Sequence, residues 1–208
     1  MGTRASGESK KLFFRQFPVE PRKGDLQKQR IVDAVIDRIA TEGIERTSFD
    51  SVGKLLGMRP SHVAYYFESK EEMIEFAIRH IAVTGQTITA ERVDEAGDPR
   101  KRIMAVVDGA FDWCARFPKQ AAAMLLFYYY ASFDSHYRKM HTEMRSVGAK
   151  RLEGLLDGLR PNLRNKKALA STIQALITGN ALEYLTTGLP DGIEAYRKRT
   201  IEAVMSLL

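Results

Sequence analysis

Between Thr47 and Lys70 the chain reads TSFDSVGKLLGMRPSHVAYYFESK, and no other stretch constrains the fold as strongly. Its punctuation calls for two short helices joined by a tight turn. Phe49, Val52, Leu55 and Leu56 recur at helical spacing, so one face of the first of these helices is apolar. Ser48 precedes that run, where a hydroxyl accepts an otherwise unpaired backbone N–H. Gly57 follows the last apolar position, where a left-handed backbone ends a helix at low cost. Pro60 then presets φ in the first turn of the next helix, where its missing N–H is not needed. Val63, Tyr66 and Phe67 form the buried side of that second helix. Gly53, with no side chain, lets the two helices approach closely. This is the helix-turn-helix pattern.

An α-helix fits the major groove of B-DNA, where base edges present a distinguishable donor and acceptor code. The second helix of the motif enters with its N-terminal residues leading. Here those are Arg59, Pro60, Ser61 and His62, with Ala64 and Tyr65 on the next turn. The competing reading is an ordinary helical hairpin inside a core, its polar residues merely solvated. Downstream, Ser69 with Glu72 three residues on has the spacing of a capping box. A further helix therefore starts at Lys70, which puts that ammonium beside the recognition helix and within reach of phosphate.

Several positions carry a family resemblance: Gly43 in Thr41-Glu42-Gly43, Thr47-Ser48-Phe49 at the start of the second helix, and Val52-Gly53 with Leu56-Gly57. The run Tyr65-Tyr66-Phe67-Glu68-Ser69-Lys70-Glu71-Glu72-Met73 completes the set. Over residues 26–75 the chain resembles the tetracycline-repressor (TetR) family of bacterial transcription regulators. The resemblance implies a DNA-binding domain in which Thr47, Ser48, Arg59, Pro60, Ser61, His62, Ala64, Tyr65 and Lys70 face an operator. It also implies a homodimer that binds double-stranded DNA and a small-molecule effector, with no enzymatic activity and no cofactor. The chain departs from the family at Arg59, where Ser or Thr is frequent, and at Ala64, where Tyr is usual. These departures leave open a second reading: a TetR-like protein that has lost operator binding and acts through protein contacts.

The 208 residues suffice for one or two compact units with a real core. A single cysteine, Cys114, permits no internal disulfide and suits a reducing cytoplasm. No apolar leader with a cleavage site opens the chain, and the longest apolar run, residues 121–133, is too short to span a membrane. The expected location is therefore cytoplasmic, on the nucleoid when bound to DNA. Net charge is +6. Residues 1–24 carry 6 basic and 2 acidic side chains, whereas residues 25–70 balance 7 against 7. A basic tail beside a DNA-reading module can follow a phosphate backbone; a solvated terminus is the simpler reading. Its Leu12-Phe13-Phe14 cluster and Phe17 suggest that part of it docks on a body, while the rest is extended or mobile.

The expected organisation is a basic tail over 1–24, a helix-turn-helix domain over 25–70, and a helical effector-binding and dimerisation domain over 71–208. Periodicity predicts an all-α chain of about nine helices, with no strand alternation and no internal repeat. The first helix is capped by Asp25 and ended by Gly43. The fourth runs from Lys70 towards Glu95. The fifth begins at Asp98-Pro99 and is apolar nearly all round, leaving only a narrow exposed stripe of Arg102, Asp108, Asp112 and Arg116. The sixth covers about 119–133 and the seventh about 135–159. The eighth spans about 165–187, closed by Gly188, and the ninth starts at Asp191 with Glu194 and runs to the end. The last two carry more apolar width than one core contact needs. By the resemblance they pack against their copies as a four-helix bundle.

The resemblance further implies an apolar effector pocket enclosed by the fifth and sixth helices with parts of the fourth and seventh. Candidate lining residues are His80, Met104, Val107, Phe111, Trp113, Phe127, Tyr130, Phe133 and Tyr137, and such aromatic walls suit a lipophilic ligand. A Met and aromatic stripe at helical spacing is equally compatible with plain core. A helical enzyme is the reading from a different class. The histidines, His62, His80, His136 and His141, form no Glu-x-x-His pair of the kind a metal-binding bundle uses. There is no Gly-rich phosphate loop and no Gly-x-Ser-x-Gly elbow. No metal site and no catalytic residue is expected.

Overall fold

The computed structural model describes residues 22–187 and 192–208. The readings for Leu12, Phe13, Phe14 and Phe17 in the tail, and for Gly188 and Asp191 at the last turn, lie outside the described residues.

Among the described residues the fold is all-α, with nine helices in the expected order and no strand. They are α1 (Lys23–Glu42), α2 (Phe49–Leu56), α3 (Pro60–Ala64), α4 (Lys70–Glu95), α5 (Pro99–Arg116), α6 (Pro118–Phe133), α7 (Ser135–Leu159), α8 (Lys166–Thr187) and α9 (Gly192–Leu207). Most boundaries follow from local chemistry. Asp98 Oδ1 accepts the N–H groups of Arg100 and Lys101 at 3.0 and 2.9 Å, so α5 starts at Pro99. Asp134 caps α7 in the same way, accepting from His136 and Tyr137 at 2.8 and 3.0 Å. Gly43 closes α1 at φ 87°, its N–H donating to Ile39 O at 3.0 Å.

Two caps differ from the sequence reading. Helix α1 begins at Lys23, and Asp25 is its third residue; its carboxylate reaches back to the Arg22 N–H at 2.9 Å. An acidic side chain serves a helix start from either place, and the spacing alone does not choose between them. At α4, Ser69 Oγ accepts the Glu72 N–H at 3.0 Å, but the Glu72 carboxylate takes the N–H of Glu68 rather than that of Ser69.

The described residues fall into two compact units. The first comprises residues 22–84 and 117–132: α1, α2, α3, the first part of α4, and α6 up to Ser132. Ile31, Val35 and Ile39 of α1, Val52 of α2, Val63 of α3, Met73 and Ile81 of α4 and Phe127 of α6 are all fully buried there. An ion pair from Lys119 to Asp37 joins α6 to α1. Leu55 departs from expectation: it is 48% exposed. An eight-residue helix buries little more than one side chain, and Val52 occupies that place.

The second unit comprises residues 85–116, 133–187 and 192–208. Its core joins Ile103, Val107 and Phe111 of α5 to Leu152 and Leu156 of α7, Ile173 of α8, and Tyr196 and Val204 of α9. Gly109 marks a close helix approach, because a Cβ there would lie 2.5 Å from the Cα of Thr89 on α4. The polar stripe of α5 is not simply solvated. The side chain of Asp112 is 12% exposed and sits between two arginines, with Oδ2 2.6 Å from Arg92 and Oδ1 2.7 Å from Arg197. On α8, Leu176, Ile177 and Leu185 are only partly buried and Leu182 is exposed.

Candidate nucleic-acid interface

The turn between α2 and α3 is built from hydrogen bonds that the sequence marks. Ser48 and Ser51 cap α2 reciprocally: Ser48 Oγ accepts the Ser51 N–H at 3.1 Å and Ser51 Oγ accepts the Ser48 N–H at 2.8 Å. A serine thus does the work usually done by Glu or Gln in this motif. Gly57 ends α2 in the left-handed conformation, φ 66° and ψ 32°. The N–H of Met58 then donates to Gly53 O at 2.8 Å. The glycine at 53 serves this turn more than the crossing of the helices. A Cβ there would lie 2.7 Å from the Met58 carbonyl oxygen and 3.5 Å from Pro60 N.

Helix α3 has only five residues, Pro60–Ala64. Val63 is fully buried and Phe67 nearly so, which orients the opposite face outwards. Arg59, Pro60, Ser61, His62 and Ala64 are exposed on it, and Tyr65 is 83% exposed. The sequence-predicted base readers therefore share one surface. Tyr66 is half-buried and meets Tyr65 edge-on, with ring centroids 5.3 Å apart.

Three predicted contact residues are engaged inside the protein. Thr47 is fully buried and its hydroxyl donates to Gly43 O at 2.8 Å, so its side chain shapes the α1–α2 connection. Ser48 spends its hydroxyl on the cap. Lys70 opens α4 as expected, and its Nζ donates to Glu45 O at 2.7 Å. That bond uses one of three ammonium donors and leaves the charge in place. Two other cations of this unit are occupied: Lys54 pairs with Asp50 at 2.7 Å, and Lys28 lies over the rings of Phe67 and Phe76 at 4.9 and 4.2 Å. The cation–π placement of Lys28 is not legible from sequence, since its partners Phe67 and Phe76 belong to elements far along the chain.

The effector candidates divide between the two units. In the first, His80 and Phe127 are buried and Tyr130 half-buried. Burial pushes the His80 imidazole down to about 4, so it is neutral at physiological pH. In the second, Val107 and Phe111 are fully buried in the core while Met104 packs against it half-exposed. Trp113 is half-buried, and its ring lies 3.5 Å from where Gly85 would carry a Cβ. Tyr137 is half-buried and Phe133 is 58% exposed, so Phe133 is no part of a closed wall within its unit. Burial raises the Cys114 thiol to about 12, which leaves it un-ionised and unreactive.

No protein-family model matches the sequence. Curated relatives do. The chain is 25% identical over 173 residues to the HTH-type transcriptional regulator BetI of Rhizobium meliloti (strain 1021), covering 82% of this chain and 83% of that one. Among solved structures it is similar to a TetR-family transcriptional regulator from Cytophaga hutchinsonii, with a TM-score of 0.76 at 19% identity over 91% of this chain and 96% of that one. It is also similar to a transcriptional regulator from Saccharomonospora viridis solved in complex with choline, with a TM-score of 0.75 at 16% identity over 86% and 96% of the two chains. Sequence relatedness across more than four fifths of the chain, the shared fold and the outward-facing helix-turn-helix agree: the chain is similar to HTH-type transcriptional regulators and has the fold of TetR-family regulators.

Proposed function

We propose that the protein is a repressor that binds a palindromic operator as a homodimer and leaves it when a small lipophilic effector binds. The observation that carries the DNA-reading part is the exposed row Arg59, Pro60, Ser61, His62, Ala64 and Tyr65, held outward by the buried Val63 and Phe67. Ser61 and His62 stand on the first turn of the recognition helix, where side chains reach base edges. Lys70 supplies a cation beside them. Two half-sites one helical turn apart need two copies of the module. The apolar surface that α8 leaves partly uncovered, Leu176, Ile177, Leu182 and Leu185, supports dimerisation through the last two helices.

Release follows from population shift. An effector that binds better to one spacing of the two DNA modules favours that spacing, and an operator of fixed half-site distance then loses its match. We place effector contacts first on the α5 candidates that keep accessible surface, Met104 and Trp113. The working location is the cytoplasm, on the nucleoid when bound to DNA. The choline complex of the Saccharomonospora viridis regulator favours a second effector class, a quaternary ammonium held against aromatic faces.

DNA binding is tested by duplex titration of the protein and its Ser61→Ala and His62→Ala variants across a base-substituted site. Changed base preference is the expected outcome. Weaker binding with the same preference removes those side chains from base readout. Lys70→Ala is expected to weaken all duplexes alike and to lower the salt slope by about one. For the effector, Trp113 is the chain's only tryptophan. Its fluorescence in titrations with long-chain fatty acids and with choline separates the two classes.

A further inference from the structure

Beside the recognition helix the first unit has an open cleft of about 330 Å³. One wall is α1, contributing Gln27 and Arg30; the other is the α2–α3 turn and α3, contributing Met58, His62 and Tyr65. We propose that Arg30 binds a DNA backbone phosphate in this cleft, so that α1 grips the operator alongside α3. The inference rests on the DNA-reading role proposed above and adds a contact from outside the helix-turn-helix.

The geometry assigns the guanidinium a defined position. Arg30 Nη1 donates to Gln27 Oε1 at 3.3 Å, and Gln27 Nε2 donates to Met58 Sδ at 3.1 Å. Gln27 thereby ties the arginine to the turn that launches α3, and acts as its positioning residue. Arg30 is exposed and has no carboxylate partner among the described residues. That matters in a segment whose formal charge is balanced, because Lys54 is neutralised in an ion pair and Lys28 is covered by aromatic rings. A guanidinium presents a planar fork of donors that matches a phosphate, and its charge survives at any physiological pH. The other cleft groups, the His62 imidazole and the Tyr65 phenol, bring further hydrogen-bonding capacity to the same rim. They sit on the helix proposed to enter the major groove, which is about 12 Å wide and walled by the two phosphate strands. A helix seated there brings one strand against its flank, and the flank of α3 on this side is the cleft.

The test uses the full chain and its best duplex, with the dissociation constant measured against salt for the wild type, Arg30→Ala, Arg30→Lys and Gln27→Ala. A set of duplexes carries one neutral methylphosphonate at each backbone position. Arg30→Ala is expected to bind about tenfold more weakly, with the salt slope lowered by about one and base preference unchanged. Arg30→Lys should restore the slope, and Gln27→Ala should weaken binding while keeping it. One methylphosphonate position should weaken the wild type and leave Arg30→Ala unaffected. Wild-type affinity and slope in Arg30→Ala, or a loss that adds to every methylphosphonate alike, would overturn the phosphate contact and leave the DNA-reading role standing. A wild type that binds no duplex at low salt would overturn that role, and the phosphate contact with it. Arg30 is exposed, so unchanged thermal unfolding of the variants is the expected folding control.

Discussion

At Gly53 one hydrogen atom decides whether the turn closes, since any Cβ would press on the Met58 carbonyl at 2.7 Å. Gly53→Ala is therefore expected to destabilise the protein by about 1–3 kcal/mol, read from urea unfolding, and to weaken DNA binding because α3 is displaced. His80 gives a second residue-scale expectation. Its folded value is about 4 against an ordinary 6.5, because burial disfavours the imidazolium. A depressed folded value means that the unfolded chain takes up the proton first. The contribution is complete above about pH 6.5 and is lost as pH falls towards 4. Between pH 7 and pH 5 this amounts to about 2 kcal/mol. Urea unfolding at both pH values should show that loss, and a His80→Leu variant should flatten it. At this scale sequence reading is only partly informative. Ser48, Gly57 and Pro60 act through their own backbone and are legible from their neighbours. The burial of Thr47, the exposure of Leu55 and the position of Lys28 over Phe67 and Phe76 depend on helices far along the chain.

Helix boundaries are legible because caps are local: Asp98-Pro99 starts a helix and Gly43 stops one without tertiary help. What lies across a helix is not. The Asp108 and Asp112 stripe of α5 reads from sequence as a solvated face, yet Asp112 is enclosed by Arg92 of α4 and Arg197 of α9. Asp112→Asn is expected to destabilise the second unit by about 1–3 kcal/mol, since it removes the carboxylate closest to the mostly buried Arg197, at 2.7 Å, and leaves it Asp108 at 3.4 Å and the exposed Glu194 at 3.2 Å. Arg92→Ala should cost less than about 1 kcal/mol because that arginine is half exposed. Equal losses in thermal unfolding of the two variants would contradict this ordering. Gly109 makes the α4–α5 approach possible, and Gly109→Ala, forcing a methyl onto the backbone of Thr89, should match or exceed the Asp112 effect.

For the whole molecule the all-α class and the helix order are legible from periodicity, and the helix-turn-helix carries the functional reading. The effector candidates are less legible. Val107, Phe111 and Phe127 are fully buried, and a fully buried aromatic looks the same in a sequence whether it lines a ligand or packs a core. The proposed dimer rests on α8, whose Leu182 is exposed and whose Leu176 and Ile177 are half-covered. Leu182→Lys is expected to shift the protein from dimer to monomer in light scattering at micromolar concentration, with the helical content unchanged. The central claim, a homodimer reading DNA through α3, is tested most directly by selecting random duplexes against the purified, effector-free protein at low salt. The account predicts an enriched palindrome whose half-sites lie about 34–36 Å apart, one helical turn, or a multiple of it. Enrichment without a symmetric motif, or none at all, would contradict it.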